Sequence, residues 1–368
     1  MYRIEPPLQK ILDDFYDDYH QYILEGVDFF LNGNSVPLVL DDKKTHLSVG
    51  VDVGSPSECF LQELQKPHFL KYIMTCSPDQ LPVIVENVFG LFVPGASILA
   101  SNKLTKSVYL KYYQSKQDID HFFTIMHHIF VDRVFDGERN GVKVFDKLRF
   151  EQNIGLAICP YCGAEDITIR KATRKKSTVH AKPDVDHFLP KSKYPYLAMS
   201  YANLIPCSEA CNRQLKRLMN PLVNVNPPRY KLMNPYCFDF SAIVFSYDFD
   251  NTLYYSKDAY DVKVKYPIDS ILEEGYTQGL AIDSLYDQKK NLIVDLYKQM
   301  AGWEGVYQKM LIQIGIPAAS APRITKPDLN YLFGFECNEE NSRIQPYFKF
   351  KYDIAVQMMA DGGCSWPW

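Results

Sequence analysis

The chain reads as an α+β protein in three parts. A predominantly helical domain spans residues 1–150, a ββα centre 151–235, and a mixed hairpin and helical region 236–368. Three observations predict this. Apolar residues recur at helical spacing through the first part, two close cysteine pairs bracket short strand-like runs in the second, and apolar runs flank a polar turn in the third. With 368 residues and 46% hydrophobic content, the chain can bury more than one core.

In the first part, Pro6-Pro7 start a helix on which Leu8, Ile11, Leu12, Phe15, Tyr19 and Tyr22 share a face. A second helix is expected from Asp118 to Phe135, with Phe122, Phe123, Ile125, Met126, Ile129, Phe130 and Val134. His127 and His128 lie inside it. Adjacent helical residues diverge by about 100°, so these two are expected to serve core or surface rather than one site. Asp136-Gly137 and Asn140-Gly141 then mark turns.

In the centre, Val185-Asp186-His187-Phe188-Leu189-Pro190 predicts a short strand ending at a proline turn. Asp186 and His187 should face opposite ways unless the strand bends. Tyr201 to Pro206 predicts a second strand, and Asn212 to Met219 a helix carrying Asn212 and Lys216 on one face. In the third part, Ala242–Tyr247 and Leu253–Ser256 predict a hairpin across Asp250-Asn251-Thr252. Helices are expected over Asp283–Met300 and Tyr347–Met359, the latter stopped by Gly362-Gly363.

The composition narrows the setting. The nine cysteines do not form a secreted disulfide pattern, no signal peptide is expected behind MYRIEPPLQK, and the apolar stretch from Val88 to Ala100 is too short to span a membrane. A cytoplasmic protein with no membrane partner is expected. The 14% aromatic content, with 26 Tyr and 22 Phe, is expected to serve packing. Net charge is −4, yet residues 151–231 hold 13 Lys and Arg against 6 Asp and Glu, a local +7 that leaves −11 for the rest. A basic island in an acidic chain suggests a localised polyanion site, with the acidic flanks meeting protein. Arg170-Lys171 and Arg174-Lys175-Lys176 belong to that island and could grip phosphate or merely solubilise a loop.

The chemistry concentrates between Cys159 and Lys216. Cys159 and Cys162 are spaced C-x2-C with Gly163 following, and Cys207 and Cys211 are spaced C-x3-C. Four thiolates complete a tetrahedral zinc site with no open position, which makes it structural; the rival reading of the first pair alone is a redox dithiol. Cys59, Cys76, Cys237, Cys337 and Cys364 lack paired spacing and are expected to be ordinary buried cysteines. His180 is expected to be a surface loop histidine.

In order, type and expected secondary structure, the run CxxC, DHxxP, NLxxC, then Cys211-Asn212 and Lys216 resembles the HNH (ββα-metal) endonuclease superfamily in its zinc-stapled form. The resemblance covers about residues 155–220. It implies that His187 is the general base, that Asp186 and Asn212 bind a catalytic Mg2+ or Mn2+, and that Asn203 orients the histidine by tying its loop. Lys216, and less closely Arg213, would contact phosphate. The expected function is metal-dependent hydrolysis of DNA, with RNA not excluded. The layout also resembles antiviral-defence HNH effectors that work with an ATPase, as in Septu-type or retron-linked systems. The alternative is a noncatalytic zinc-stapled module that binds nucleic acid or a partner. Two departures from the commonest pattern are Asn212 at a position often held by histidine, and C-x3-C in the second pair.

Overall fold

The computed structural model describes residues 2–40, 43–92, 116–174, 177–181, 183–223, 229–249, 256–299 and 345–361. It is an α+β molecule whose strands form two-stranded sheets. The chain divides into two compact units. One comprises residues 5–155 and 171–237, the other residues 1–4, 156–170 and 238–368. This differs from the linear three-part division expected above. Residues 171–237 fold with the helical N-terminal region, and the Cys159-Cys162 turn folds with the C-terminal elements.

In the first unit, α1 spans Gln9–Leu31 and buries Phe15, Tyr19, Ile23, Val27 and Phe30. Strands β1 (Val36–Leu40) and β2 (Lys43–Val49) pair antiparallel. Helix α2 (Pro56–Leu64) starts at Ser55, whose hydroxyl accepts from Glu58 N while the Glu58 carboxylate accepts from Gly54 N, close to a capping box. Helices α3 (Pro67–Thr75), α4 (Leu81–Phe92) and α5 (Lys116–Met126) follow.

Helix α5 runs directly into a π-helix, His127–Phe135. Gly26 of α1 meets this π-helix closely, since a Cβ there would lie 3.2 Å from Ile129 and Arg133 side-chain atoms. The wider turn also alters the expectation for the paired histidines. Both His127 Nδ1 (3.3 Å) and His128 Nδ1 (3.8 Å) reach Asp132, because an i→i+5 turn brings neighbours together that an α-helix separates.

Next, β3 (Glu138–Arg139) and β4 (Val142–Lys143) form a hairpin on Asn140-Gly141, both at positive φ (52° and 77°), the signature of a type I′ turn. Helix α6 (Lys147–Ile154) is capped by Asp146, which accepts from Arg149 N, and ends on left-handed Gly155. Strands β5 (Arg170–Arg174) and β6 (Ser177–Ala181) make a two-stranded sheet. Lys175 and Lys176 lie outside the described residues.

The centre of this unit is a ββα arrangement. β7 (Asp184–His187) pairs antiparallel with β8 (Leu204–Cys207), Asp186 opposite Ile205 and His187 opposite Leu204. The expected first three residues of the second strand, Tyr201–Asn203, form a 3₁₀ turn instead. The third element is a π-helix, Ala210–Lys216, shorter than the expected helix to Met219. Short strands β9 (Leu222–Val223) and β10 (Arg229–Tyr230) complete the unit. Its core is aromatic: Phe15 meets Tyr201, and Phe60 meets Phe122 and Tyr196. The region expected to be a separate helical domain therefore packs directly on the ββα element.

In the second unit, β11 (Val244–Phe249) pairs with β12 (Tyr260–Lys265). The expected partner strand at Leu253–Ser256 lies mostly outside the described residues, and the observed one begins at Tyr260. The apolar residues Tyr260, Val262 and Val264 stand opposite Phe249, Tyr247 and Phe245, the register that matches the two alternating patterns. Helix α7 (Ile282–Asp287) is followed by a turn and helical residues 290–299, so the single expected helix is interrupted.

The last helix, α8, spans Phe348–Asp361. Its Asp353 carboxylate accepts from Phe245 N (2.9 Å), and its Gln357 side chain both accepts from Tyr247 N and donates to Tyr247 O (2.8 Å each), covering the edge of β11. Tyr286 Oη donates to Cys162 O and Tyr347 N to Gly163 O, both at 2.7 Å, fixing the Cys159-Cys162 turn. Cys76 is buried, whereas Cys59 and Cys237 are exposed, contrary to expectation. Cys59 sits opposite the face of α2 that buries Phe60, Leu61 and Leu64, and Cys237 ends a 3₁₀ turn. Cys337 and Cys364 lie outside the described residues. Among the described residues no helix is long and apolar enough to cross a membrane.

Candidate active site

The ββα element and the segment after the first π-helix line one cleft of about 720 Å³. Asp184, Asp186 and His187 of β7, Asn212 and Arg213 of the second π-helix, and Phe135, Lys147 and Lys191 all border it. The sequence-predicted Asp186, His187, Asn212 and Arg213 are thus brought together.

His187 is buried at 6% exposure, its ring 4.3 Å from that of Phe135. Its Nε2 lies 3.1 Å from Ala198 O. A carbonyl oxygen only accepts, so Nε2 carries the hydrogen and Nδ1 keeps its lone pair. Burial, followed by the nearby Lys191 ammonium, holds the imidazole well below its ordinary pKa, partly offset by the Ala198 bond. The ring is therefore neutral at neutral pH, with a basic nitrogen available.

Asn203 is fully buried behind the histidine. Its Oδ1 accepts from Leu189 N (2.7 Å), and its Nδ2 donates to Leu189 O (3.1 Å) and Leu197 O (3.0 Å). These bonds close the loop between β7 and β8, the loop that also supplies Ala198 O to His187. Asn203→Ala strands three buried backbone groups. We expect a loss of more than about 3 kcal/mol, read as a lowered urea midpoint with unchanged slope.

The carboxylates of β7 are held by cations of the π-helix. Lys216, whose side chain is fully buried, places Nζ 2.9 Å from Asp186 Oδ2 and 2.9 Å from His187 O. Arg213 grips Asp184 with Nε (2.7 Å) and Nη2 (2.8 Å), and Asn212 Nδ2 donates to Asp184 Oδ2 (3.2 Å). Lys216 is not placed as an open phosphate ligand, and Arg213, although its side chain is 63% exposed, is committed to Asp184. Both are ion-paired to the strand that carries the histidine.

Asp184 was not singled out from the sequence, though its signal is visible. In Asp184-Val185-Asp186 the two acids are two apart and share a strand face. Phe135, Lys147 and Lys191 also escaped notice. Both lysine ammonium groups stand over the Phe135 ring, at 4.3 and 4.8 Å, and Lys191 also pairs with Asp136.

Asp184, Asp186 and Asn212 bring side-chain oxygens to the lining of the cleft, the two carboxylates being ion-paired to Arg213 and to Lys216. Elsewhere, the buried thiols of Cys159, Cys162 and Cys211 lie within 4.8 Å of one another and could hold a metal ion. Cys207, the fourth expected ligand, is buried but is not part of that cluster. The Cys159–Gly163 turn is tight, with Gly163 N donating to Cys159 O (2.8 Å) and Gly163 at φ 66°. Comparison with family models, with curated proteins and with solved structures gave no match.

Proposed function

We propose that the protein is a metal-dependent endonuclease of the HNH type that hydrolyses phosphodiester bonds of nucleic acid, DNA first. The observation that carries this reading is the His187 imidazole, kept neutral by burial, with its Nε2 hydrogen committed to Ala198 O and its other nitrogen free to act as base. In the proposed reaction, Nδ1 of His187 takes the proton of a water whose oxygen attacks phosphorus, while the opposite P–O bond to the 3′ oxygen breaks and that oxygen leaves with a proton from solvent. Asn203 keeps the loop, and through it the Ala198 carbonyl, in place so that the ring holds one tautomer. Asp186 and Asn212, with Asp184 beside them, would hold Mg2+ or Mn2+. When bound, that ion supplies Lewis acidity toward the phosphate and its leaving oxygen.

The Cys159, Cys162 and Cys211 thiols support a structural zinc site; the spacing implies Cys207 as a fourth ligand, although its sulfur lies outside that cluster. Zinc with four thiolates leaves no open position, so its part is to fix the fold. We expect about one equivalent of zinc per chain by elemental analysis; a folded, zinc-free protein would count against this site. The acid-rich remainder of the chain is assigned to docking a protein partner, such as the ATPase of a defence system.

Incubation of the full chain with plasmid DNA and Mg2+ or Mn2+ tests the reading. Cleavage that needs the added ion supports it. The competing reading, a noncatalytic zinc-stapled module, draws on the ion pairs of Lys216 and Arg213. It gains if the plasmid stays intact at every metal and partner condition.

A further inference from the structure

We infer that Arg217 grips the nucleic-acid backbone at the cleft, the part that motif spacing gives to Lys216 and Arg213. The inference takes its substrate class from the nuclease reading above. The two motif cations are engaged: Lys216 is buried on Asp186, and Arg213 forms a two-point contact with Asp184. Arg217, by contrast, lines the same cleft, is exposed, and forms no ion pair among the described residues.

The backbone of Arg217 is the second observation. It sits at φ 47°, ψ −121°, directly after the π-helix, with its N–H donating to Asn212 O at 2.8 Å. Glycine adopts positive φ without cost, whereas a long side chain is strained there. A strained arginine at the edge of a cleft points to use of the guanidinium itself. Its planar fork of donors matches two phosphate oxygens. Lys147 and Lys191, held over Phe135, also border the cleft, both ion-paired with Asp136. The ligand class is a phosphodiester backbone, which DNA and RNA share.

The test is fluorescence anisotropy on the full chain, titrated with a short labelled DNA duplex, the single strand and the matching RNA, without added Mg2+ or Mn2+, over a range of salt. Arg217→Gly and Arg217→Asn both tolerate positive φ, so their thermal midpoints should equal or exceed that of the native chain. Each should weaken binding roughly fivefold near 0.15 M salt and lower the salt slope by about 0.9, the loss of one phosphate contact. The ligand that shows the change identifies the strand chemistry.

Unchanged affinity and slope in both variants overturns the inference, as does failure of the native chain to bind any of the three. A lowered midpoint with an unchanged slope makes Arg217 structural and also overturns it. Plasmid cleavage is read separately. Native cleavage with unaltered binding by both variants sinks this inference alone. The slope change without any cleavage leaves it standing and sinks the nuclease reading.

Discussion

Replacing His187 with alanine is expected to lower plasmid cleavage by about 10²–10⁴-fold, the range for loss of a positioned base. The folded state and the zinc content should remain. The imidazole is the neutral nitrogen base bordering the cleft whose other nitrogen is fixed by a carbonyl, Ala198 O at 3.1 Å. His187→Gln keeps a polar group but offers no basic nitrogen, and should be equally inactive. Full activity in either variant would remove the histidine from the chemistry.

The pH dependence follows in sign. Burial and the Lys191 charge depress the His187 pKa below 6.5, so the basic form persists below that pH. The acidic limb of kcat/KM should therefore fall below pH 6.5. The same shift acts on stability. Between the unfolded pKa and the lower folded one, the unfolded chain binds the extra proton, so stability contributed by the neutral ring is present above pH 6.5 and is lost as pH falls toward the folded pKa. A stability gain on acidification through that window in the native chain, absent in His187→Ala, would contradict the assignment.

Replacing Lys216 with methionine is expected to destabilise the fold by about 3–5 kcal/mol, because a buried carboxylate loses its ammonium. Asp186 is 4% exposed, and Lys216 Nζ lies 2.9 Å from both its Oδ2 and the His187 carbonyl. The double variant Asp186→Asn with Lys216→Met removes both charges and should recover most of the loss. Denaturant midpoints check both. If Lys216 were an exposed phosphate ligand, the single variant would keep its midpoint and lose only nucleic-acid affinity.

Much of the candidate site was legible because its residue types stand at fixed spacing. Asp186-His187, Asn203 and Asn212 could be named in advance, together with strand, strand and helix in order. Asp184 escaped although it lies only two residues from Asp186, since alternation shows a shared face but not which acids are used. Phe135, Lys147 and Arg217 could not be found this way. Phe135 and Lys147 belong to segments far from the motif in sequence, and Arg217 is distinguished by a backbone angle that no side-chain pattern reveals.

The π-helices were invisible for a related reason. The apolar spacing from Phe122 to Val134 fits a 3.6-residue turn, and a widened turn leaves most of that face unchanged. The linear domain division missed that residues 171–237 pack with the N-terminal helices, since adjacency in sequence does not decide which apolar faces meet. Tyr260, Val262 and Val264 alternate clearly and pair with β11, although the polar run Asp250-Asn251-Thr252 signals an earlier turn.

The sequence by itself determined the chemistry offered: two cysteine pairs, a histidine beside an aspartate, two asparagines and a basic island. Spacing along the chain fixes which of these share a turn or a strand, because local geometry depends on near neighbours. Only the tertiary structure decided which charges are already paired. Lys216 and Asp186, or Arg213 and Asp184, are separated by about thirty residues and meet through the packing of a π-helix on β7. Electrostatic interaction depends on distance in space and on burial. Those two quantities bury Lys216 on Asp186, pair the exposed Arg213 with Asp184 and leave Arg217 exposed on the cleft.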